Sequence, residues 1–298
     1  MAAELISGTK IAQDIRREVA ERVDRLREAE GRVPGLATVL VGEDPASQSY
    51  VRMKNRDAKE VGFASRQVDL PSTTTEAELL GWIEGLNADP DIHGILVQLP
   101  LPPQIEESRV LEAIHPAKDV DGFHPINVGR LNSGNTDVLA PCTPRGIIEL
   151  LVRTGNDPSG KHVVIVGRSN LVGKPMAALL LGRERGGNAT VTVAHSRTRA
   201  LGDVTRLGEI LIVAIGRPEL VTADMIRPGA IVIDVGVNRV DDDSLEKGYR
   251  LTGDVDFEAA REVAAAITPV PGGVGPMTRA MLLSNTLSAA TPIGGRDG

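Results

Sequence analysis

The chain has 298 residues, and its 41% hydrophobic content is enough to bury two cores. Its net charge of -7 and its interspersed acidic and basic residues argue against a nucleic-acid partner. No apolar run is long enough to span a bilayer, so we expect no membrane partner. The only cysteine, Cys142, excludes an internal disulfide, and we interpret it as an inert thiol. Because the opening MAAELISGTK does not have the pattern of a signal peptide, we expect a cytoplasmic protein.

Strand-like and helical segments alternate along the chain, which is typical of parallel sheets with helices on both faces. The runs TVLVG, RQVDL and HGILVQL predict three strands in the first half. The stretch from Pro116 to Thr143 is rich in Gly, Asn, Asp and Pro, and we interpret it as a connection between two domains. Before the first of these strands, one helical face is predicted from Ile11, Ile15, Val19, Val23 and Leu26.

The runs VVIVG, TVTVA, ILIVAIG and AIVIDVG predict a second sheet. The first of them continues as VVIVGRSNLVGKP, an apolar strand that leads through a glycine turn into a helix, which is the layout of a dinucleotide site. A strand ending at Gly167 lets the backbone approach a pyrophosphate, and the helix N-terminus attracts its charge. The spacing from Gly167 through Ser169 to Gly173 departs from G-x-G-x-x-G, so an ordinary strand-to-helix turn remains an alternative for the motif alone.

The residues after TVTVA indicate which dinucleotide this site prefers. NAD-selective folds usually place an acidic residue there to accept from the ribose 2'-hydroxyl, and this chain has none. It has His195, Ser196 and Arg197 instead, and Arg168 lies in the glycine turn. Donors and cations of this kind suit a 2'-phosphate, so we predict NADP as the cofactor. The alternative is that both arginines only solvate the edge of the sheet.

The first domain carries a second chemical signal. Tyr50 and Lys54 are one helical turn apart and therefore project from one face. Gln98 follows a buried strand, where ligands of α/β sheets gather, and Asp121 lies in the domain connection. We expect these four side chains to line one cleft. Taken singly, each has a structural alternative: a packed tyrosine, a surface lysine, a capping glutamine and a turn aspartate.

Two other functions compete with a dinucleotide enzyme built around this cleft. A Tyr-x-x-x-Lys helix also occurs in short-chain dehydrogenases, but there the glycine turn opens the chain, whereas here Lys54 precedes Gly167. The alternative of a short-chain or amino-acid-type NADP-dependent dehydrogenase would thus need a rewired chain order. A non-catalytic dinucleotide sensor would bind NADP without turnover.

Longer segments in a fixed order resemble a known family: YVRMKNRDAKEVGF, GILVQLPLP, KDVDGFHPINVGRL, PCTPRGI, GRSNLVGKPMA, GAIVIDVGVN and TPVPGGVGPMT. They closely resemble the bifunctional methylenetetrahydrofolate dehydrogenase/cyclohydrolase family over nearly the whole chain. The resemblance implies oxidation of 5,10-methylenetetrahydrofolate with NADP, followed by hydrolysis of the methenyl product to 10-formyltetrahydrofolate in the same cleft. The substrates are therefore expected to be tetrahydrofolate derivatives.

The resemblance also implies the fold and its domains. We expect an α/β protein of two domains: an N-terminal three-layer α/β folate domain completed by the C-terminal helix, and an inserted Rossmann-type dinucleotide domain. The corresponding boundaries are 1–143 plus 276–298 for the folate domain and 144–275 for the NADP domain. The acidic segment NRVDDDSLEKGYRLTGDVDF is expected to form a hairpin, which in this family tends to build a homodimer; an exposed charged loop is the alternative.

Residue roles follow from the same resemblance. Lys54 becomes the central cyclohydrolase residue with Gln98 bonded to it, Tyr50 lines the folate and Asp121 holds the pterin. A cationic methenyl ligand disfavours a charged lysine, so a neutral Lys54 can take a proton from the attacking water. The implied cofactor contacts are Gly167, Arg168, Ser169, Gly173, Ser196, Arg197 and, through its backbone to the nicotinamide, Val237. The implied substrate contacts are Tyr50, Lys54, Gln98, Asp121 and, from the loop TPVPGGVG, Pro269 and Gly272. This loop can equally serve as a hinge, and no metal site is expected.

Overall fold

The structure, a computed structural model, describes residues 2–242, 244–245 and 248–291. The strands are β1 (Glu4–Leu5), β2 (Gly35–Val41), β3 (Ala64–Leu70), β4 (Gly94–Val97), β5 (His162–Val166), β6 (Thr190–Ala194), β7 (Ile210–Val213), β8 (Ile231–Asp234), β9 (Asn238–Asp241), β10 (Tyr249–Thr252) and β11 (Ala266–Ile267). The helices are α1 (Gly8–Glu30), α2 (Pro45–Glu60), α3 (Glu76–Ala88), α4 (Glu107–Ala113), α5 (Pro125–Asn132), α6 (Cys142–Arg153), α7 (Gly173–Leu181), α8 (Leu201–Thr205), α9 (Phe257–Arg261) and α10 (Val274–Ala290).

The described residues fall into two compact units, which we name by their main sheets. The three-stranded unit comprises 13–130, 137–142 and 279–291. The six-stranded unit comprises 2–12, 131–136 and the described part of 143–278. Both sheets are parallel, as the alternation of strands and helices predicted.

The three-stranded unit has the strand order β3-β2-β4, and all three strands predicted for it are confirmed. All residues of β2 are buried because the strand is central. On one side, α3 packs Leu79, Ile83 and Leu86 into the core that contains Val39 and Ile95. This helix begins with a capping box between Thr75 and Glu78, which satisfies backbone donors at its start.

The stretch from Pro116 to Thr143, interpreted in the sequence as a connection between two domains, is partly helical. It contains a 3-10 turn (Pro116–Lys118), the helix α5 and the start of α6. The cause is Asp119, a buried carboxylate that accepts hydrogen bonds from the backbone of Gly122 and His124 and from the side chain of Asn127. Three donors on one buried acid hold the segment in a defined conformation.

The six-stranded unit has the strand order β1-β11-β8-β7-β5-β6 and contains the four strands predicted for the second sheet. The two-residue strands β1 and β11 were not predicted. Their pairing of Glu4 with Ala266 and of Leu5 with Ile267 places residues 2–12 in this unit, whereas the sequence boundary grouped them with the folate domain. The functional boundaries at 143/144 and 275/276 stay a prediction.

The predicted hairpin is present: β9 and β10 pair antiparallel outside the main sheet. The Arg239 guanidinium lies 4.1 Å from the ring centroid of Tyr249, a cation–π contact across the two strands. Positions 243, 246 and 247 of the acidic tip lie outside the described residues. In the part of the chain that the structure describes, no helix has the length and apolarity to cross a membrane.

Candidate functional site

The predicted Lys54 and Gln98 are in direct contact in the three-stranded unit. Lys54 Nζ donates to Gln98 Oε1 at 3.1 Å, and Gln98 Nε2 donates to the carbonyl of Leu99 at 2.7 Å, which orients the amide. Gln98 directly follows β4, and Lys54 lies on α2, the helix that follows the neighbouring strand β2. The contact therefore forms at the carboxyl edge of this sheet, where ligands of open α/β sheets bind.

Asp121 completes this group in the same unit. Burial raises the pKa of its carboxyl group, the Lys54 charge opposes that rise, the nearby Asp119 adds to it and a hydrogen bond from Cys142 opposes it. Tyr50, one turn before Lys54 on α2, is 47% exposed, so its ring is accessible. The structure thus places three of the four predicted folate-side residues in mutual contact or electrostatic range, and the fourth on the same helix as Lys54.

Helix α2 is fixed by polar contacts on its buried side. The Asn55 carbonyl oxygen accepts from the hydroxyls of Thr38 and Ser65, and its amide nitrogen donates to Gln67. One turn after Lys54, the buried Asp57 pairs with Arg279 of α10 at 2.8 Å. Because these bonds tie α2 to two strands and to α10, the backbone beneath Lys54 is held in place.

Two buried side chains support the segment around Asp121, and one of them, Asn285, was missed in the sequence. Asn285 on α10 is fully buried and donates to the carbonyls of Val120 at 2.8 Å and Ala140 at 2.9 Å. The buried Cys142 also bonds the Val120 carbonyl through its sulfur at 3.2 Å, which fits its interpretation as an inert thiol. A buried asparagine within an apolar helix is the signal that marked this position in the sequence.

The predicted phosphate turn lies in the six-stranded unit between β5 and α7. Gly167 has a φ of +139°, and a Cβ atom there would lie 2.2 Å from the carbonyl oxygen of Ala214. Only glycine fits this backbone. Arg168 and Ser169 are exposed, and Gly173 is the buried first residue of α7. Because β6 and β7 lie on opposite sides of β5, this turn sits where the strand order reverses, the usual position of a dinucleotide.

The turn after β6 presents the predicted 2'-phosphate contacts. The His195 amide donates to the Thr198 hydroxyl at 2.9 Å, and the Arg197 amide donates to His195 Nδ1 at 3.1 Å. These bonds close the turn and leave Ser196 and Arg197 exposed. The positions 195–199 contain no carboxylate, so nothing in the turn repels a phosphate.

The remaining predicted contacts also lie in the six-stranded unit. Val237 follows β8 and is 51% exposed. Pro269 and Gly272, after β11, are partly buried, and the Gly272 carbonyl accepts from the Thr9 amide at 3.0 Å. Within the described ranges, no group of three or more His, Cys, Asp or Glu residues could hold a metal ion.

Two buried aspartates near Val237 were missed in the sequence. Asp234 accepts from the amides of Gly236, Asp254 and Val255 at 2.9 to 3.0 Å, and Asp254 is itself fully buried. Burial raises the pKa of Asp234 to about 7, because desolvation outweighs these hydrogen bonds. For Asp234, the signal available in the sequence was an acid within the otherwise apolar run AIVIDVG; Asp254 lies in the acidic segment that ends TGDVDF, where no such contrast marks it.

This raised pKa predicts a pH-dependent stability difference between the wild type and Asp234→Asn. Asp234 takes up a proton more readily in the folded chain, so its contribution to the free energy of unfolding is greatest at low pH. That contribution declines as the pH rises from about 4 to about 7 and is constant above. We expect Tm of the wild type minus Tm of Asp234→Asn, measured by calorimetry, to fall across this window. Asp157→Asn, in a partly buried turn, serves as the control, and a difference that is flat with pH would contradict the assignment.

Comparisons with known proteins match both parts of this chain to one family. A family model described as the tetrahydrofolate dehydrogenase/cyclohydrolase catalytic domain matches residues 6–121. A second model, the NAD(P)-binding domain of the same family, matches residues 141–293. Together they cover most of the chain.

Similar proteins and structures span nearly the full length. The chain is 57% identical over 286 residues to the bifunctional protein FolD of Prosthecochloris aestuarii, covering 96% of this chain and 97% of that protein. The crystal structure of the FolD enzyme from Campylobacter jejuni is 47% identical with a TM-score of 0.91, covering 97% and 99% of the two chains. The Trypanosoma brucei FolD structure, complexed with NADP and an inhibitor, is 43% identical with a TM-score of 0.91, covering 97% and 98%.

Proposed function

Because this chain belongs to the tetrahydrofolate dehydrogenase/cyclohydrolase family, we propose that it catalyses both reactions of that family. It oxidises 5,10-methylenetetrahydrofolate with NADP to the 5,10-methenyl cation and hydrolyses that cation to 10-formyltetrahydrofolate. The observation that carries this proposal is the hydrogen bond from Lys54 to Gln98 at 3.1 Å, with Asp121 in electrostatic range. The relatives support this function and not the alternative of a short-chain or amino-acid-type dehydrogenase.

Hydrolysis requires a base for the water that attacks the methenyl carbon. A cationic ligand beside Lys54 favours the neutral amine, which takes a proton from that water while Gln98 holds the amine in position. The Gln98 amide is itself held by the Leu99 carbonyl, so the pair is oriented before the ligand arrives.

Asp121 and Tyr50 position the pterin. Burial destabilises the charged carboxylate of Asp121. Hydrogen bonds donated by the amino and ring N–H groups of the pterin stabilise it again, and they fix the orientation of the ring. The exposed ring of Tyr50 offers a rigid face for stacking, in a chain where only 2% of the residues are aromatic. We also propose Pro269 and Gly272 as substrate contacts from the loop after β11.

The oxidation step depends on positioning more than on acid–base chemistry. The hydride leaves a carbon flanked by two nitrogens, whose lone pairs stabilise the cation, so no hydroxyl needs to lose a proton. NADP, when bound, supplies the hydride acceptor. The turn of Gly167, Arg168 and Ser169, with Gly173 behind it, binds the pyrophosphate, and the backbone of Val237 contacts the nicotinamide.

The preference for NADP predicts the effect of changing the turn after β6. In the double variant Ser196→Asp with Arg197→Ala, a carboxylate repels the 2'-phosphate and one cation is lost. We expect the Kd for NADP to rise by about 100-fold, the combined effect of two charge-assisted contacts of about 1.4 kcal/mol each. The Kd for NAD, which lacks this phosphate, should change much less. The neighbouring Arg199→Ala is the control, and an unchanged NADP affinity in the double variant would place the 2'-phosphate elsewhere.

We further propose a cytoplasmic homodimer with no nucleic-acid partner. The hairpin of β9 and β10 stands outside the main sheet, and the stacked Arg239 and Tyr249 stiffen it as a pairing surface. The negative net charge opposes binding to nucleic acid.

One assay of the purified chain tests the two reactions together. With 5,10-methylenetetrahydrofolate and NADP, absorbance is followed at a wavelength for NADPH and at another for the methenyl cation. We expect NADPH to accumulate together with 10-formyltetrahydrofolate. NADP binding without folate turnover would indicate a sensor, and turnover of an alcohol that depends on Tyr50 would indicate a short-chain dehydrogenase.

A further inference from the structure

Asp254 collects hydrogen bonds from two separate loops of the six-stranded unit. One carboxylate oxygen accepts from the amides of Ile215 at 2.8 Å and Gly216 at 2.9 Å. The other oxygen accepts from the Arg217 amide and from the side-chain amide of Asn238, both at 2.9 Å. A fully buried carboxylate with four donors is well compensated, so it strongly fixes the groups that donate to it.

Both loops lie at the carboxyl edge of the sheet. Residues 214–217 directly follow β7, and Asn238 comes one residue after Val237 in the segment that follows β8. Because β7 and β8 are neighbours, the ladder between them already fixes the strands themselves. The bonds of Asp254 therefore act on the loops beyond the strands, at the edge where the nucleotide is proposed to bind.

Asp234 holds the same segment from its other side. Its Oδ1 atom accepts from the Gly236 amide, and a Cβ atom on Gly236 would lie 2.3 Å from Cγ of Asp254. The residues on both sides of Val237 are thus each bonded to a buried carboxylate: Gly236 to Asp234, and Asn238 to Asp254. Val237 itself remains exposed.

We infer that Asp254 and Asn238 are positioning residues for hydride transfer, which hold the backbone of Val237 in place to receive the nicotinamide ring. Neither touches the reacting atoms; both act through the loop. The inference rests on the proposed function, since the nicotinamide contact of Val237 is part of it. A carboxylate bonded to loop amides suits this task because it is rigid and pays no reorganisation when the ligand binds.

The test compares binding of NADP with binding of 2',5'-ADP, which has the phosphorylated adenosine but no nicotinamide. In Asn238→Ala, we expect the Kd for NADP to rise about tenfold, the effect of losing one hydrogen bond to a charged group. The Kd for 2',5'-ADP should stay within about twofold, because its proposed site lies after β5 and β6. In Asp254→Asn, the new side-chain N–H group faces backbone donors. We expect the Kd for NADP to rise more than in Asn238→Ala, while the Kd for 2',5'-ADP again stays nearly unchanged.

The two activities provide a second comparison. Dehydrogenase kcat/KM should fall at least about tenfold in Asn238→Ala, while hydrolysis of added methenyltetrahydrofolate, measured without nucleotide, stays at the wild-type rate. Asp157→Asn is the control: this partly buried acid accepts a hydrogen bond from the Ser159 amide in its own turn. Equal weakening of NADP and 2',5'-ADP, or an unchanged NADP affinity in Asn238→Ala, would overturn the inference. Absence of folate turnover in the wild type would contradict the proposed function. It would not decide the test by binding, because the Kd values for NADP and 2',5'-ADP are measured without turnover.

Discussion

Replacing Lys54 with Met is expected to lower the rate of methenyl hydrolysis at least about 100-fold, which is within the usual contribution of a general base. Methionine keeps the length and apolar stem of the side chain but cannot accept a proton or bond Gln98. NADP-linked oxidation should remain within about tenfold of the wild type, because that step needs positioning and no base. The two rates are measured in separate samples: oxidation with 5,10-methylenetetrahydrofolate and NADP, and hydrolysis with added methenyltetrahydrofolate and no nucleotide.

Lys59→Met is the matched control for this variant. Lys59 lies on the same helix, is exposed and takes no part in the Lys54–Gln98 contact. Its replacement should leave both rates unchanged. If Lys54→Met reduced oxidation and hydrolysis by the same factor, the proposed division of roles would be wrong, and Lys54 would serve mainly to bind the folate.

Substituting Gly167 with Ala is expected to lower dehydrogenase kcat/KM at least about 100-fold, equivalent to about 3 kcal/mol. The φ of +139° is strained for any side chain, and the new methyl group would collide with the Ala214 carbonyl, 2.2 Å away. The turn must therefore shift, and its amides no longer face the pyrophosphate. Hydrolysis of methenyltetrahydrofolate without nucleotide should be retained.

Gly160→Ala separates this effect from general backbone strain. Gly160 precedes the same strand at its other end and also has a positive φ, of +75°, but no atom within 4 Å would meet its Cβ. We expect a modest loss of stability, about 1 kcal/mol, with unchanged NADP affinity. Equal NADP affinities in the two alanine variants would contradict a phosphate site at Gly167.

The strands whose carboxyl ends lie at the candidate ligand sites were predictable, because each is a short apolar run between turn residues. This signal identified β2, β4 and β5, and with them the positions of Gln98 and Gly167. It could not identify β1 and β11, since two residues hold no periodic pattern and their pairing depends on contacts across most of the chain. The helical parts of the stretch after Pro116 were not predicted, because its order comes from one buried acid, Asp119, and not from apolar periodicity.

The residues of the candidate site also divide into those that the sequence predicted and those that it did not. Lys54 and Gln98 were predictable as a pair because Gln98 follows a buried strand, Lys54 lies on the helix after another buried strand, and the family resemblance joined them. Asp254 and Asn285 were not, because their partners are backbone groups of segments far away in sequence. A polar side chain inside an apolar run shows only that partners must exist, and the fold decides which ones they are.

The contacts of α10 set an order of events for synthesis on the ribosome. Within the three-stranded unit, α10 makes three contacts with earlier parts of the chain. Asn285 donates to the carbonyl next to Asp121, Arg279 pairs with Asp57, and the Ala290 carbonyl accepts from Arg32. Residues 13–130 leave the ribosome long before these partners are translated. Until then, Asp57 lacks its ion pair with Arg279, and the Val120 carbonyl lacks the Asn285 amide. A ribosome that stalls within α10 would thus hold a chain in which the strands of the proposed nucleotide site are complete and the proposed folate site is unfinished.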